Sequence, residues 1–347
     1  MNWPLYHAYL QRANDRALRD AIWEPDIEPL AGLVARVGVG NYLTPEAIDP
    51  AEMVERADQI VRERAAYTAG DLLQPVSPSF NIPWLEAIAG CKVKVHRDTL
   101  WAEPSGLDYQ SLAELRFDPR HPWFERMLAC HTALCRHAAG RFPVALPVMH
   151  GPLDIISLFR GPEQFCVDLY DRPQEVEVAL SRLTDLWIAV GKALLAATPL
   201  YQGGMCSRMH LWLPGPTVTP QADATTLLSP RLYRRFGLPV DEAIINAFPY
   251  HTYHTHSTSS HILEMLADIP HLTSIQITLD PNGPPRAELQ PLLARLARRK
   301  PLLLSVWDRD WADWCAQALA PAGISITLVV RRLEDWITYE AWMAETA

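Results

Sequence analysis

The sequence predicts an α/β protein folded as a (β/α)8 TIM barrel, and three observations support that fold class. Eight short apolar segments of strand length alternate with segments whose apolar residues recur at helical spacing. Most of the apolar segments are followed by a helical one, which is typical of parallel strands joined by right-handed crossovers. No linker-like stretch interrupts the 347 residues, so we expect a single barrel domain over residues 1–347.

The predicted strands are short, and several are bounded by proline. In chain order they cover residues 33–39, 72–78, 142–149, 199–206, 247–255, 272–279, 301–306 and 324–330. Residues 91–96 alternate apolar and polar side chains, and residues 99–103 return against them, which predicts an extra hairpin after strand two. No Gly-x-Gly-x-x-Gly motif follows a strand, so an open dinucleotide-binding sheet is the weaker interpretation.

Helical periodicity and capping residues predict the helices. Residues 4–22 have a helical pattern, which makes residues 1–30 a helical extension in front of the barrel. Asp49 followed by Pro50 predicts the start of the next helix, because aspartate caps helices and proline suits their first turn. Further helices are predicted over residues 84–89, 123–139, 173–197, 231–247, 260–268, 286–299, 311–319 and 333–345.

Composition and charge exclude several classes of protein. With 49% hydrophobic and 20% charged residues, the chain is globular and not disordered. A net charge of −9 argues against nucleic acid as the main partner, since phosphate binding needs a basic surface. The start of the chain lacks the features of a signal peptide, and no uncharged run reaches transmembrane length. The six cysteines form no CxxC pair, so we expect a cytoplasmic protein, with a homodimer left open.

Histidines cluster at the end of the fifth predicted strand. Side chains alternate faces along a strand, so His254 and His256 are expected to point the same way. Two imidazoles on one face provide half of a divalent-metal site, and Asp280 or Asp308 would supply a carboxylate ligand. Two alternative interpretations remain: the histidines are solvated in a loop, or they are hydrogen-bond partners of nearby carboxylates.

The carboxyl ends of barrel strands converge on one mouth, which makes the residues that follow each strand candidates for a site. His150 and Asp154 follow strand three and Asp308 follows strand seven, and we predict these three to be catalytic, with His150 or Asp154 handling protons. Candidate substrate-binding residues at other strand ends are Asn81, Arg160, Cys206, Arg208, His210 and Trp307. Structural roles compete with these, because Asp154 also suits a helix cap and Asp280 also suits a turn.

Two segments resemble the uroporphyrinogen decarboxylase superfamily. They are Gly151-Pro-Leu-Asp-Ile-Ile-Ser-Leu-Phe-Arg-Gly161, with the helix start that follows at residues 168–176, and Ser229-Pro-Arg-Leu-Tyr-Arg-Arg-Phe-Gly-Leu-Pro239. The resemblance covers roughly residues 30–340. It implies a (β/α)8 barrel and one of two activities. These are the decarboxylation of haem synthesis and zinc-dependent methyl transfer between corrinoid proteins and thiols.

The sequence departs from the decarboxylases at four positions. Their catalytic aspartate corresponds to Asn81, whose amide carries no charge to stabilise a cationic pyrrole. Their arginine-rich N-terminal stretch has no counterpart around residues 37–43, and their active-site tyrosine falls near Leu158. The histidine after their last strand is replaced by Val330-Arg331. The resemblance therefore favours the methyltransferases.

The HxCG metal motif of those methyltransferases reads His254-Thr-His256-Ser257 in this sequence. One ligand histidine is kept and the cysteine becomes a second histidine, while the family's second cysteine has no counterpart in residues 324–340. Two histidines and a carboxylate would make a bound zinc ion a stronger Lewis acid than a thiolate site would.

The resemblance thus implies a metal-assisted, methyltransferase-like enzyme that acts on a small substrate with a corrinoid protein as partner. Two alternatives stay open. One is a tetrapyrrole decarboxylase, such as one acting on uroporphyrinogen, in which Arg160, Arg208 and Arg331 bind substrate carboxylates. The other is a non-catalytic, ligand-binding barrel.

Overall fold

A computed structural model describes residues 18–23, 31–66, 68–70, 72–78, 81–104, 106, 108–319 and 324–330. The N-terminal part contains strand β1 (Leu18–Trp23), helix α1 (Ala31–Val37), strand β2 (Tyr42–Leu43), helix α2 (Pro50–Ala66) and strand β3 (Thr68–Gly70). Next come helix α3 (Trp84–Ile88), strands β4 (Lys92–Val95) and β5 (Leu100–Glu103), and helices α4 (Tyr109–Glu114) and α5 (Pro122–Ala138). Within the described ranges, none of the helices is both long and apolar enough to cross a membrane.

The central part is mostly helical and ends in short strands. It contains helices α6 (Pro152–Arg160), α7 (Pro162–Asp171) and α8 (Pro173–Ala196), followed by strands β6 (Met205–Cys206), β7 (Trp212–Leu213) and β8 (Thr217–Val218). Helix α9 (Pro230–Leu232) continues through a π-helical turn (Tyr233–Gly237) into helix α10 (Leu238–Ala247). Each of α6, α7, α8 and α9 begins with a proline, which suits the first helical turn because that position needs no backbone donor.

Strands and helices then alternate regularly. The elements are β9 (Tyr250–His256), α11 (Leu263–Asp268), β10 (Ser274–Thr278), α12 (Arg286–Leu296), β11 (Leu302–Val306), α13 (Arg309–Ala318) and β12 (Ile324–Val330). The predicted elements between residues 247 and 330 are confirmed to within a few residues at their ends. The helix predicted over residues 333–345 lies outside the described residues.

One seven-stranded sheet organises the fold, in the order β3-β1-β12-β11-β10-β9-β8. All neighbours in it are parallel except β3, which runs antiparallel to β1. Outside this sheet, Val76 and Val144 form a single parallel bridge between the segments predicted as strands two and three. Side chains such as Ile275, Leu304 and Ile326 are fully buried in the main hydrophobic core. The fold is therefore an α/β fold with a parallel sheet, as predicted.

The predicted hairpin after strand two is confirmed. Strands β4 and β5 pair antiparallel, with Val93 opposite Ala102, and β2 adds a third strand beside β4. The side chains of Val93, Val95, Leu100 and Ala102 alternate into the core, as the period of two in the sequence predicted. The predicted start of α2 is also confirmed, since the Asp49 carboxylate accepts a hydrogen bond of 2.9 Å from the Ala51 amide.

Two predictions near the N-terminus are wrong. The helix predicted over residues 4–22 does not extend through 18–23, which form β1 between β12 and β3; residues 4–17 lie outside the described part. The strand predicted over residues 33–39 is helix α1, whose Leu33 amide donates to the Glu52 carboxylate at 3.2 Å. Short apolar segments fit both periodicities, and here partners distant in sequence decide between them.

The fourth predicted strand is also misplaced. Strand β6 forms an antiparallel hairpin with β7, and β8, further along the chain, is the strand that pairs with β9. The hairpin is tight at Gly204, where a Cβ atom would lie 2.3 Å from the Leu213 carbonyl oxygen. Because the strand beside β9 is β8, which ends at Val218, the loop that follows this strand contains Asp223 and not Cys206.

A buried carboxyl group joins the strand of the histidines to the helices behind it. Asp241 of α10 accepts hydrogen bonds from the hydroxyls of Tyr233, at 2.5 Å, and Tyr253 of β9, at 3.0 Å. Burial raises the pKa of Asp241 to about 7, since desolvation disfavours the charged form more than the two hydroxyls stabilise it.

The Asp241→Asn variant tests this assignment. The Asp241 carboxyl keeps its proton in the folded state up to about pH 7 and loses it near pH 4 in the unfolded chain. The unfolding free energy of the wild type should therefore fall, relative to the variant, by about 1.4 kcal/mol per pH unit within this window. Urea titrations of both proteins at several pH values measure the difference. The control variant Asp185→Asn, at an exposed position, keeps Asp241 and should therefore show the same slope as the wild type. Equal slopes for Asp241→Asn and wild type would contradict the assignment.

Candidate functional site

The two histidines of β9 line one cavity, as the alternation of side chains predicts. The ring centroids of His254 and His256 are 5.0 Å apart, and the ring planes are inclined by 77°. His254 is buried and His256 is half-buried, so both rings are held by the protein and the second still reaches the cavity opening. The two imidazoles can therefore present nitrogen atoms to the same point in space.

His254 is held in one tautomer by its neighbour in the sheet. Gln276 of β10 is in register with His254, and its Oε1 atom accepts a short hydrogen bond from His254 Nδ1. This leaves the lone pair on Nε2 available as a ligand atom. Burial and the nearby Arg208 guanidinium lower the pKa of His254 to about 4, so the ring is neutral at physiological pH.

His256 is anchored through the same ring atom. Its Nδ1 donates to Asp280 Oδ1 at 2.8 Å, and Asp280 Oδ2 accepts hydrogen bonds from the Ser257 amide and hydroxyl, both at 3.2 Å. Asp280, which the sequence suggested as a third metal ligand, thus lies behind His256 and orients it. Asp280 has this position because it follows β10 two residues after Thr278, the residue in register with His256. Both of its carboxylate oxygens are engaged in hydrogen bonds to His256 and Ser257.

The third ligand atom of the cluster comes from Asp223, which the sequence analysis missed. One atom each from Asp223, His254 and His256 lie within 4.8 Å of one another, and Asp223 Oδ1 is 3.9 Å from His256 Nε2. The loop that contains Asp223 follows β8. Because the fourth strand was predicted at residues 199–206, this loop was not considered as the end of a strand. Its position after the Pro216-to-Pro220 stretch was the signal that could have located it.

Asp154 holds the loop that carries Asp223. Its two carboxylate oxygens accept hydrogen bonds from the Ala224 amide, at 2.7 Å, and from the Gly151 amide, at 3.1 Å. Burial and the neighbouring Asp223 carboxylate raise the pKa of Asp154 to about 8. The residue predicted as catalytic thus acts at the start of α6 as a helix cap and as a link to the loop that carries Asp223.

The cavity beside the cluster has a volume of about 290 Å³. Besides the two histidines, it is lined by Arg208, Met209, His210, Gln276, Thr278, Leu303, Ser305, Trp307, Thr327 and Val329. Three of the predicted substrate-binding residues, Arg208, His210 and Trp307, are thus at the cavity. The first two reach it from the turn between β6 and β7, and Trp307 reaches it from the end of β11.

Three other predicted substrate-binding residues do not line this cavity. Cys206 is fully buried in β6, and burial raises the pKa of its thiol far above the usual range. Arg160 donates to Asp168 at 2.8 Å and lies 4.9 Å from the centre of the Tyr109 ring, so it is part of a structural network. Asn81 is half-buried with a φ of 57° in the left-handed region just before α3.

Asp308, predicted as catalytic, has a structural role in this arrangement. Its Oδ1 accepts a hydrogen bond of 2.9 Å from the Trp311 amide at the start of α13 and pairs with Arg286 at 2.7 Å. The side chain is half exposed, and it points to the helix and the ion pair. The charged loop at the end of β11 therefore contributes Trp307 to the cavity and a helix cap to the fold.

His150, the third predicted catalytic residue, is paired with a buried carboxylate that the sequence did not reveal. Its Nδ1 makes a short hydrogen bond to Oε1 of Glu86 in α3, whose side chain is inaccessible to solvent. Burial alone would lower the pKa of His150, but the Glu86 carboxylate, with Asp154 and Asp223 nearby, raises it to about 9. His150 is thus held protonated at the end of the third predicted strand.

No protein-family model matches this sequence, and no curated protein matches it. Among solved structures, the chain is similar to a methyltransferase from Methanosarcina mazei, with a TM-score of 0.67 and 14% sequence identity. The match covers 99% of this chain and 98% of that chain. At this identity the similarity establishes the fold.

The Glu86→Gln variant tests the pairing of His150. With the carboxylate replaced by an amide, burial acts on the imidazolium without its main counter-charge, and the His150 pKa should drop from about 9 to below its usual 6.5. Histidine NMR titration measures this pKa, with assignment by a His150→Gln variant. If the His150 pKa stays near 9 in Glu86→Gln, a group other than Glu86 stabilises the protonated imidazole, and the assignment is wrong.

Proposed function

We propose that this chain is a methyltransferase-like enzyme of the uroporphyrinogen decarboxylase superfamily, with a metal site formed by His254, His256 and Asp223. The observation that supports it best is the anchoring of both imidazoles through Nδ1, to Gln276 and to Asp280, which leaves both Nε2 atoms available to a ligand. Metal-ligating histidines in proteins are typically fixed in this way by amide or carboxylate oxygens.

The donor set fits a zinc ion. Two imidazole nitrogens and one carboxylate oxygen make a three-ligand set that leaves a coordination position open, as catalytic zinc sites do. The low pKa of His254 supports the same assignment, because a neutral ring need not lose a proton before it binds. A bound zinc ion would supply Lewis-acid polarisation of a substrate oxygen or sulfur atom.

The protein's own residues would bind and orient the substrate in the adjacent cavity. Arg208 contributes a positive charge, Trp307 an aromatic face, and Thr278 and Ser305 hydroxyl groups. The cavity volume of about 290 Å³ suits a small molecule. His150 is close enough to Asp223 for that carboxylate to raise its pKa, so it carries a proton there, and we assign it as a candidate proton donor.

The proposal includes closure of the sheet into a (β/α)8 barrel with residues 72–78 and 142–149 as strands two and three. The bridge between Val76 and Val144 supports the pairing of those two strands. The close contact at Gly151 supports the pairing of strand three with β8, because a Cβ atom there would lie 1.9 Å from the carbonyl oxygen of Gln221, which follows β8. This close approach of Gly151 to Gln221 is what adjacent strands three and four would require.

A corrinoid protein as methyl donor or acceptor belongs to the same proposal and rests on the superfamily resemblance. Tetrapyrrole decarboxylation has less support. Of the three arginines considered for substrate carboxylates, Arg160 is paired with Asp168, Arg208 lines the cavity, and Arg331 lies outside the described residues. Asn81, at the position of the decarboxylases' aspartate, is not among the residues that line the cavity.

Zinc titration tests the metal site. Metal-free wild-type protein should bind one Zn²⁺ per chain in competition with a chromophoric chelator. His254→Ala and Asp223→Ala each remove a ligand and should weaken binding by more than about 100-fold. Asp280→Asn, which loosens His256, should weaken it by about 10- to 100-fold. His271→Ala, at an exposed histidine outside the cluster, is the matched control. Equal affinity in wild type and His254→Ala would exclude this site.

Methyl transfer tests the activity. Zinc-loaded wild type should demethylate free methylcobalamin in the presence of small thiol or alcohol acceptors, which changes the visible absorption of the corrinoid. The His254→Ala variant should lose this activity, and His271→Ala should retain it. No demethylation with any acceptor, in protein shown to bind zinc, would favour a binding protein over a methyltransferase.

A further inference from the structure

A row of polar residues crosses the sheet beside the proposed metal ligands. His256 of β9 is in register with Thr278 of β10, Thr278 with Ser305 of β11, and Ser305 with Thr327 of β12. All four line the cavity. In-register residues on adjacent parallel strands point to the same side, so the three hydroxyls continue the line that His256 begins.

Gln276 determines how two of these hydroxyls are oriented. Its Oε1 atom accepts from His254 Nδ1, and a carbonyl oxygen can only accept, so the amide nitrogen faces the other way. Gln276 Nε2 donates its two hydrogens to Thr278 Oγ1, at 3.2 Å, and to Ser305 Oγ, at 3.0 Å. Both hydroxyl oxygens therefore act as hydrogen-bond acceptors for the Gln276 amide.

A hydroxyl that accepts from Gln276 still has its own proton to donate. Within the described part of the chain, neither Thr278 nor Ser305 donates to a protein acceptor. Both side chains are half-buried and face the cavity, so their protons can be directed into it. The pair therefore presents two O–H donors whose orientation is set by the same glutamine that fixes His254.

The charge of the cavity wall matches this donor character. Arg208 lines the same cavity, and none of the cavity-lining side chains in the described ranges is acidic. Adjacent strands lie about 4.8 Å apart, a separation that a carboxylate spans with one oxygen near each hydroxyl. A hydrogen bond to a charged acceptor is also stronger than one to a neutral acceptor.

We propose that Thr278 and Ser305, oriented by Gln276, form a subsite that binds a carboxylate group of the substrate next to the His254–His256–Asp223 cluster. The subsite deepens the proposed function by naming the substrate class as small carboxylates. It rests on that function only for the role of the neighbouring metal, because the hydroxyl pair and Gln276 are in place without it.

The test uses acetate as the probe and acetamide as its uncharged isostere. Thermal unfolding of the metal-free full-length protein is followed while either compound is titrated at constant ionic strength, since a ligand of the folded state raises the unfolding temperature. Acetate should bind the wild type at least tenfold more tightly than acetamide. Each of Ser305→Ala, Thr278→Val and Gln276→Leu should weaken acetate binding about tenfold or more, and Ser181→Ala, at an exposed hydroxyl on α8, should leave it unchanged.

The outcomes separate this proposal from the proposed function. Equal affinities for acetate and acetamide, or acetate binding that survives both Ser305→Ala and Thr278→Val, overturn the subsite. Acetate binding seen only after zinc is added also overturns it, because the carboxylate would then bind the metal and not the hydroxyl pair. If the protein fails to bind zinc, yet acetate binds and responds to the variants, the metal assignment fails and the subsite stands.

Discussion

The in-register parallel pairing of β9 with β10 is the constraint on which the site depends. It places Gln276 beside His254, Thr278 beside His256, and Asp280 at the level of the second imidazole. A shift of one residue would turn every one of these side chains to the other face of the sheet. Register is well specified here, because the alternate residues Tyr253, Ile275 and Ile277 are buried in the core and exclude such a slip.

Several buried polar contacts hold this pair of strands and its surroundings in position. Asp241 ties Tyr253 of β9 to the π-helical turn, and Asp154 ties the loop of Asp223 to the start of α6. Both carboxyl groups have raised pKa values because they are desolvated, which is the cost of placing them there. The proposed ligands thus come from separate segments whose relative positions are fixed by hydrogen bonds, as a preorganised site requires.

The hairpin of β6 and β7 explains how one wall of the cavity is built. It lies between α8 and β8 in the chain, and its turn brings Arg208 and His210 to the histidines of β9. Arg208 also donates a hydrogen bond of 3.4 Å to Oε1 of Gln221. The backbone of Gln221 in turn forms a parallel bridge with His254. The hairpin thus supplies the positive charge, and the seven-stranded sheet supplies the imidazoles and hydroxyls. This division is typical of α/β folds that carry their chemistry at strand ends.

Local sequence patterns were sufficient to predict the α/β class, the parallel strands from residue 247 to 330, the extra hairpin and the shared face of His254 and His256. These follow from local periodicity, because alternation along a strand and helical spacing are properties of neighbouring residues. Three features became evident from long-range contacts alone: β1 is a strand, β8 is the neighbour of β9, and Asp223, not Asp280 or Asp308, lies within ligand distance of the two histidines. Those outcomes depend on hydrogen bonds and charges between residues far apart in the chain, such as Asp154 with Ala224 or Glu86 with His150, and no local pattern encodes them.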